Sequence, residues 1–237
     1  MIISHSRKFV LLAPWKTASQ TCHETLAAFN DSKYERNFHF NQRLGRVVHQ
    51  HVTLGDFLTL PEATLEYKLA AFVRNPYDRA YSGFIQIQRD FQLQPRMHIS
   101  PLWVRDLVKA QIAENMTRVI SAGFDFDEWI ANLPEYEIFD SGRNTNMPLH
   151  PAHYWTHVQG KTVDFIGKVE NFSSDLRKFC NFVGVDLPNI KLENLTEQNQ
   201  HSPVAYSRYA GKMSRRSLDR INELFFADFD LFGYEKI

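Results

Sequence analysis

A chain of 237 residues is long enough to bury a sizeable core, and its 43% hydrophobic and 14% aromatic content excludes a disordered polymer. The 27 basic and 27 acidic residues cancel, so no global field draws the chain to nucleic acid or a membrane surface, and any anion site must be local. Cys22 and Cys180 lack a metal-ligand spacing and read as buried, reduced thiols, not as a disulfide.

Taken in chain order, short apolar runs rich in Val, Ile and Phe are each followed by helical patterning, which predicts strand–helix units around a parallel sheet. The first run is Lys8–Ala13, followed by a turn over Pro14–Ala18 and a helix from about Ser19 to Phe29. A second, Arg46–His49, leads through His51 to a helix around Leu54–Leu58. The third, Tyr67–Val73, ends at Arg74-Asn75-Pro76; proline in the first turn starts a helix over Tyr77–Arg89. A fourth run, Val163–Gly167, precedes a helix over Ser173–Phe182.

Between the third and fourth runs, residues 90–159 carry helices at Leu102–Ser121 and Phe126–Asn132 and an irregular polar stretch at 140–157. This reads as a helical insertion capping the open edge of the sheet. A polar loop at 197–207 and a helix at Ser214–Ala227 close the chain. With no repeat or low-complexity linker, the expectation is one α/β domain over 1–237. The run Phe9–Ala13 is too short for a signal peptide, and nothing reaches the length of a membrane span. The chain thus reads as soluble and cytoplasmic, although a lumenal domain trimmed from an anchored precursor would read the same.

Two segments suit anions. Pro14-Trp-Lys-Thr-Ala-Ser-Gln-Thr21 joins the first strand to the first helix, where unpaired N–H groups gather, and adds the charge of Lys16 and the hydroxyls of Thr17, Ser19 and Thr21. It lacks the glycines of a Walker loop, and a plain helix start with Ser19 as N-cap is the equal alternative. Arg74 stands at the carboxyl end of the third strand, where open α/β sheets hold their ligands, and Ser82 lies two turns into the next helix. A guanidinium and a hydroxyl suit a terminal phosphate. Arg79 reads as an i,i+4 or surface ion pair, and Tyr77 and Tyr81 as packing.

These two segments together resemble the PAPS-dependent sulfotransferases, especially the carbohydrate branch. Lys16-Thr-Ala-Ser-Gln-Thr21 resembles that family's 5′-phosphosulfate loop, so Lys16, Thr17, Ala18, Ser19, Gln20 and Thr21 are implied to bind the donor. Val73-Arg-Asn-Pro-Tyr-Asp-Arg-Ala-Tyr-Ser82 resembles its 3′-phosphate motif, which implies the same for Arg74 and Ser82. Phe165-Ile-Gly-Lys-Val-Glu-Asn171 is similar to the family's late strand-to-helix signature. Asn199–Tyr206, with Asp230-Leu-Phe-Gly-Tyr234, is similar to its C-terminal pattern, which adds His201 and Tyr206 near the nucleotide. The resemblance implies a P-loop-like three-layer fold with a central, mostly parallel sheet flanked by helices. The donor would be 3′-phosphoadenosine 5′-phosphosulfate (PAPS), the product adenosine 3′,5′-bisphosphate (PAP), with no metal required. One departure stands out: the family usually has proline directly before the loop lysine, and here Trp15 intervenes.

Val48-His-Gln-His-Val52 follows the second predicted strand, and residues i and i+2 of an extended segment share a face, so His49 and His51 point together. Neutral imidazole suits removal of a hydroxyl proton. Uronyl 2-O-sulfotransferases carry a similar His-x-His-Val segment, which implies His51 as the base and His49 as second choice or orienting partner. His150, His153 and His157 line an acceptor groove or are simply exposed. Trp103, Trp129 and Trp155 are candidates to stack on sugar rings, with aromatic core packing as the commoner role of such residues. Arg89, Arg105, Lys109, Arg118 and Arg143 would make a basic groove or scattered surface charge. The expected acceptor is a carbohydrate or another hydroxyl-bearing molecule, not nucleic acid; the sequence says nothing of oligomeric state. Two rivals remain: a kinase-like nucleoside triphosphate enzyme, which predicts a Walker loop that is missing, and a non-catalytic binding protein, which predicts loss of Lys16, Arg74 or the histidines.

Overall fold

The computed structural model describes residues 1–32, 38–63, 66–93, 99, 101–134, 150–187 and 209–237. Two compact units emerge, one from segments 1–37, 49–74 and 152–206, the other from 38–48, 75–151 and 207–237.

The first unit is built on a four-stranded sheet. β1 (Ile2–Ser4), β2 (Phe9–Leu12), β5 (Lys68–Val73) and β8 (Phe165–Lys168) lie in the order β1-β2-β5-β8. β1 is antiparallel to β2, whereas β2, β5 and β8 are parallel, with Leu12 paired to Ala71 and Val73 to Lys168. The parallel strands are the predicted ones, and the uniformly apolar β2 and the inner part of β5 are buried as two-sided strands require. β1 is an addition: three apolar residues before a polar run gave too little period to read. β8 begins two residues later than predicted, because Asp164 accepts the Leu69 N–H through Oδ2 (2.7 Å) and returns its own N–H to the Leu69 carbonyl (2.8 Å).

Helix α6 (Phe172–Val183) covers one face, presenting Phe172, Leu176, Phe179, Cys180 and Val183 at helical spacing to Phe9, Leu11, Ala70 and Phe72 of the sheet. Each fully buried large apolar side chain stabilises the fold by about 1.5–3 kcal/mol. Gly167 is required by close approach: a Cβ there would sit 2.4 Å from the Phe72 ring. α1 (Ser19–Thr25) is shorter than predicted, breaking into a 3-10 turn at Ala27–Phe29. α2 (Leu54–Thr59) starts on the Thr53 hydroxyl, which accepts the Asp56 N–H at 3.2 Å. A small hairpin, β6 (His157–Val158) with β7 (Lys161–Thr162), and a 3-10 turn at Ala152–Trp155 pack against α2, so this end of the predicted insertion belongs to the first unit.

In the second unit, β3 (His39–Asn41) and β4 (Arg46–Val48) form an antiparallel hairpin of their own. The expectation that the Arg46–His49 run joins the central parallel sheet is therefore corrected: a short connection through Gly45, at φ 65, closes a local pairing first. Val47 packs on Val104 and Val108 of α4 (Leu102–Ser121), which matches its predicted bounds. α3 (Pro76–Leu93) and α5 (Phe126–Ala131) join through an aromatic cluster of Tyr81, Phe84, Phe126 and Trp129. The predicted last helix is two, α7 (Arg215–Leu224) and α8 (Phe226–Phe232), broken at Phe225 (φ −118°, ψ 25°). Arg79 is not a surface residue: 2% exposed, it donates to the His150 carbonyl (2.8 Å), reaches Asp228 at 3.4 Å and lies over the Phe225 ring. Such a pair resists loss of either partner more than it adds stability.

Candidate active site

β2 and β5 are hydrogen-bonded parallel neighbours, so the loop after Leu12 and the residue after Val73 leave the sheet at one carboxyl edge. Lys16 and Arg74, both half-buried, therefore belong to a single edge, the one where open α/β sheets bind ligands. Lys168, the last residue of β8 and the partner of Val73, adds a third cation there. Sequence reading quoted its segment without giving it a role; its place at the end of an apolar strand was the available signal.

The loop itself is strained. Lys16 and Ala18 both adopt left-handed backbone (φ 64° and 60°), where a non-glycine residue costs about 1–2 kcal/mol. Thr17, 1% exposed, braces the turn by donating its hydroxyl to the Pro14 carbonyl at 2.7 Å. The hydroxyl thus helps to hold the shape of the loop that carries Lys16. Ser19 is not the N-cap; Ala18 occupies that position with no side-chain cap. Ser19 and Gln20 are half-buried and Thr21 is buried.

His51 reaches this edge without help from the central sheet. Its Nδ1 lies 2.6 Å from the carbonyl oxygen of Ala13, the residue after β2. A carbonyl only accepts, so Nδ1 carries the proton and Nε2 keeps the basic lone pair. Gln50 donates its side-chain amide to Nε2 at 3.3 Å. The His49 ring stands 4.7 Å away, so the pair does share a face. His51 is 4% exposed while His49 is half-buried. Burial, and secondarily His49, hold the His51 pKa well below 6.5, leaving it neutral at pH 7. Trp15 meets the His51 ring edge-on at 6.3 Å.

Ser82 lies on α3 in the second unit and is half-buried. His201, Tyr206 and Arg143 fall outside the described residues. Of the three tryptophans, Trp129 and Trp155 are core (2% and 0% exposed), whereas Trp103 is 47% exposed in an edge-on pair with Phe40. His150 is buried, and His157 bonds Thr156 through Nδ1 at 2.7 Å. Arg105 and Arg118 pair with Asp106 and Glu114, which weakens the basic-groove reading. Both cysteines are buried and free, with burial pushing the Cys22 thiol up to about 12. Among the described residues no helix is long and apolar enough to cross a membrane.

A mixed α/β fold with cations at the carboxyl edge of a parallel sheet suits an anionic ligand. The model of the sulfotransferase family matches residues 1–235, and the chain belongs to that family. Membership implies transfer of a sulfuryl group to a hydroxyl-bearing acceptor. No curated protein and no solved structure matches the chain.

Proposed function

We propose that this protein transfers the sulfuryl group of PAPS to a hydroxyl of a carbohydrate, with His51 as base. The observation that carries the reading is the shared edge: Lys16 and Arg74 leave adjacent parallel strands together, and His51 is tied to the end of one of them through Ala13. Three cations, Lys16, Arg74 and Lys168, at that edge are a donor set of the right charge for a nucleotide with phosphates at both ends.

PAPS supplies the sulfuryl group and leaves as PAP. His51 takes the acceptor's proton at Nε2 as the new O–S bond forms and the bond to the bridging oxygen breaks. For that, the Gln50 amide must yield its place on Nε2 to the hydroxyl. Lys16 stabilises the charge that gathers on the leaving phosphate, the kind of preorganised electrostatics that dominates phosphoryl transfer. Arg74 holds the 3′-phosphate and so keeps the donor in register, and Ser82 is assigned to the donor by resemblance alone. His201 and Tyr206 are assigned to the nucleotide, and a carbohydrate acceptor to the enzyme, by resemblance alone. Residues 1–237 are taken as one domain because a single family match runs through both units.

Thermal unfolding with PAP, beside ADP and ATP with magnesium, tests the donor. At about 100 times its dissociation constant PAP is expected to stabilise the fold by roughly 2.7 kcal/mol, a rise of about 5–10 °C. A rise only with ATP and magnesium would replace the reading with a phosphotransferase.

A further inference from the structure

Trp15 is the residue that departs from the family pattern, and it touches both groups to which chemistry is assigned above. Its indole meets the His51 ring with planes at 73° and centroids 6.3 Å apart. The Lys16 ammonium lies 5.9 Å from the centre of the same ring. His51 is thus held at Nδ1 by Ala13, at Nε2 by Gln50, and on its ring by Trp15 and His49. Lys16, on a flexible stem and a left-handed backbone, gains an aromatic surface that favours one placement of its charge.

We propose that Trp15 is a positioning residue for sulfuryl transfer, one rigid indole that sets His51 and Lys16 relative to each other. The proposal rests on the roles given to those two residues. In an in-line displacement the base and the cation serving the leaving group act on opposite sides of one sulfur, so their separation has to be held. An indole has two rotatable bonds and little freedom to lose. A displacement of about 1 Å in such a site lowers turnover about 10²-fold.

The test uses Trp15→Ala, Trp15→Leu and Trp15→Phe in the full chain. Turnover is followed as PAP release from PAPS, with a desulfated uronic-acid polysaccharide and with water alone as acceptor. Donor binding is followed as the rise in unfolding temperature with PAP, and the His51 tautomer by long-range proton–nitrogen NMR. The Ala and Leu variants are expected to lose kcat about 10²-fold. They should also keep the PAP-induced rise and lose the single Nδ1–H tautomer. The Phe variant restores turnover and the tautomer, and it too keeps the PAP-induced rise. If Trp15→Ala does not fold, the contrast of Leu with Phe decides. A Leu variant equal to wild type, a Phe variant as damaged as Leu, or loss of the PAP response along with turnover would each overturn the proposal. A wild-type protein that neither releases PAP nor is stabilised by it would instead overturn the sulfotransferase site on which the proposal rests.

Discussion

The His51 imidazole donates from Nδ1 to the carbonyl of Ala13 at 2.6 Å, joining the histidine segment to the end of the strand that carries the lysine loop. One hydrogen bond thereby does two things. It places the ring at the sheet edge, and it leaves Nε2 as the nitrogen able to take a proton.

A first consequence concerns stability. Burial, reinforced by His49, pulls the His51 pKa well below 6.5, so between those values the unfolded chain binds more protons than the folded one. Stability is then full above about pH 6.5 and falls as pH drops below it, with a limiting slope of about 1.4 kcal/mol per pH unit for one proton. Between about pH 8 and about pH 5 the unfolding temperature of wild type should fall more steeply toward acid than that of His51→Gln. Parallel curves would remove His51 as the source.

Removing the loop charge should strike chemistry more than folding. Lys16→Ala is expected to lower turnover about 10²-fold or more, the scale for losing a charge-stabilising donor. Near-normal turnover would end that assignment. His51→Ala should lose turnover while keeping the PAP-induced rise; if only His49→Ala behaves so, His49 is the base.

The strained loop offers a gain. Ala18 sits at φ 60°, and Ala18→Gly relieves a left-handed conformation at the cost of a looser unfolded chain. The net is a stabilisation of about 0.5–1 kcal/mol, or about 1–4 °C in unfolding temperature, read by calorimetry. No change or a fall would mean that the loop does not store this strain.

The contact of Gly167 with Phe72 predicts the opposite. Gly167→Ala drives a Cβ into a ring 2.4 Å away, between two paired strands. Overpacking of this kind costs about 1–3 kcal/mol. Phe72→Leu in the same chain should recover part of that loss, as contacting sites couple. A double variant that simply adds the two losses would show that the ring is not the obstacle.

Local pattern carried much of this molecule. The apolar runs of β2 and β5, the proline that opens α3, and the full length of α4 follow from periodicity and start signals over a few residues. So did the pairing of His49 with His51, because alternation along an extended segment is a local property. Pairing partners were another matter. The Arg46–Val48 run has the composition of a central strand, yet it closes on His39–Asn41. Sequence reasoning brought the histidines to the sheet edge as the continuation of a central strand, whereas they arrive there through the Ala13 carbonyl. Only folding ties the Thr17 hydroxyl to the Pro14 carbonyl, buries Arg79 against Asp228 and tells Trp103 from Trp129. A residue's conformational preference is set by its neighbours in the chain. Burial, strand partner and the group facing a ring nitrogen are set by residues far away in sequence, and those meet only when the fold has formed.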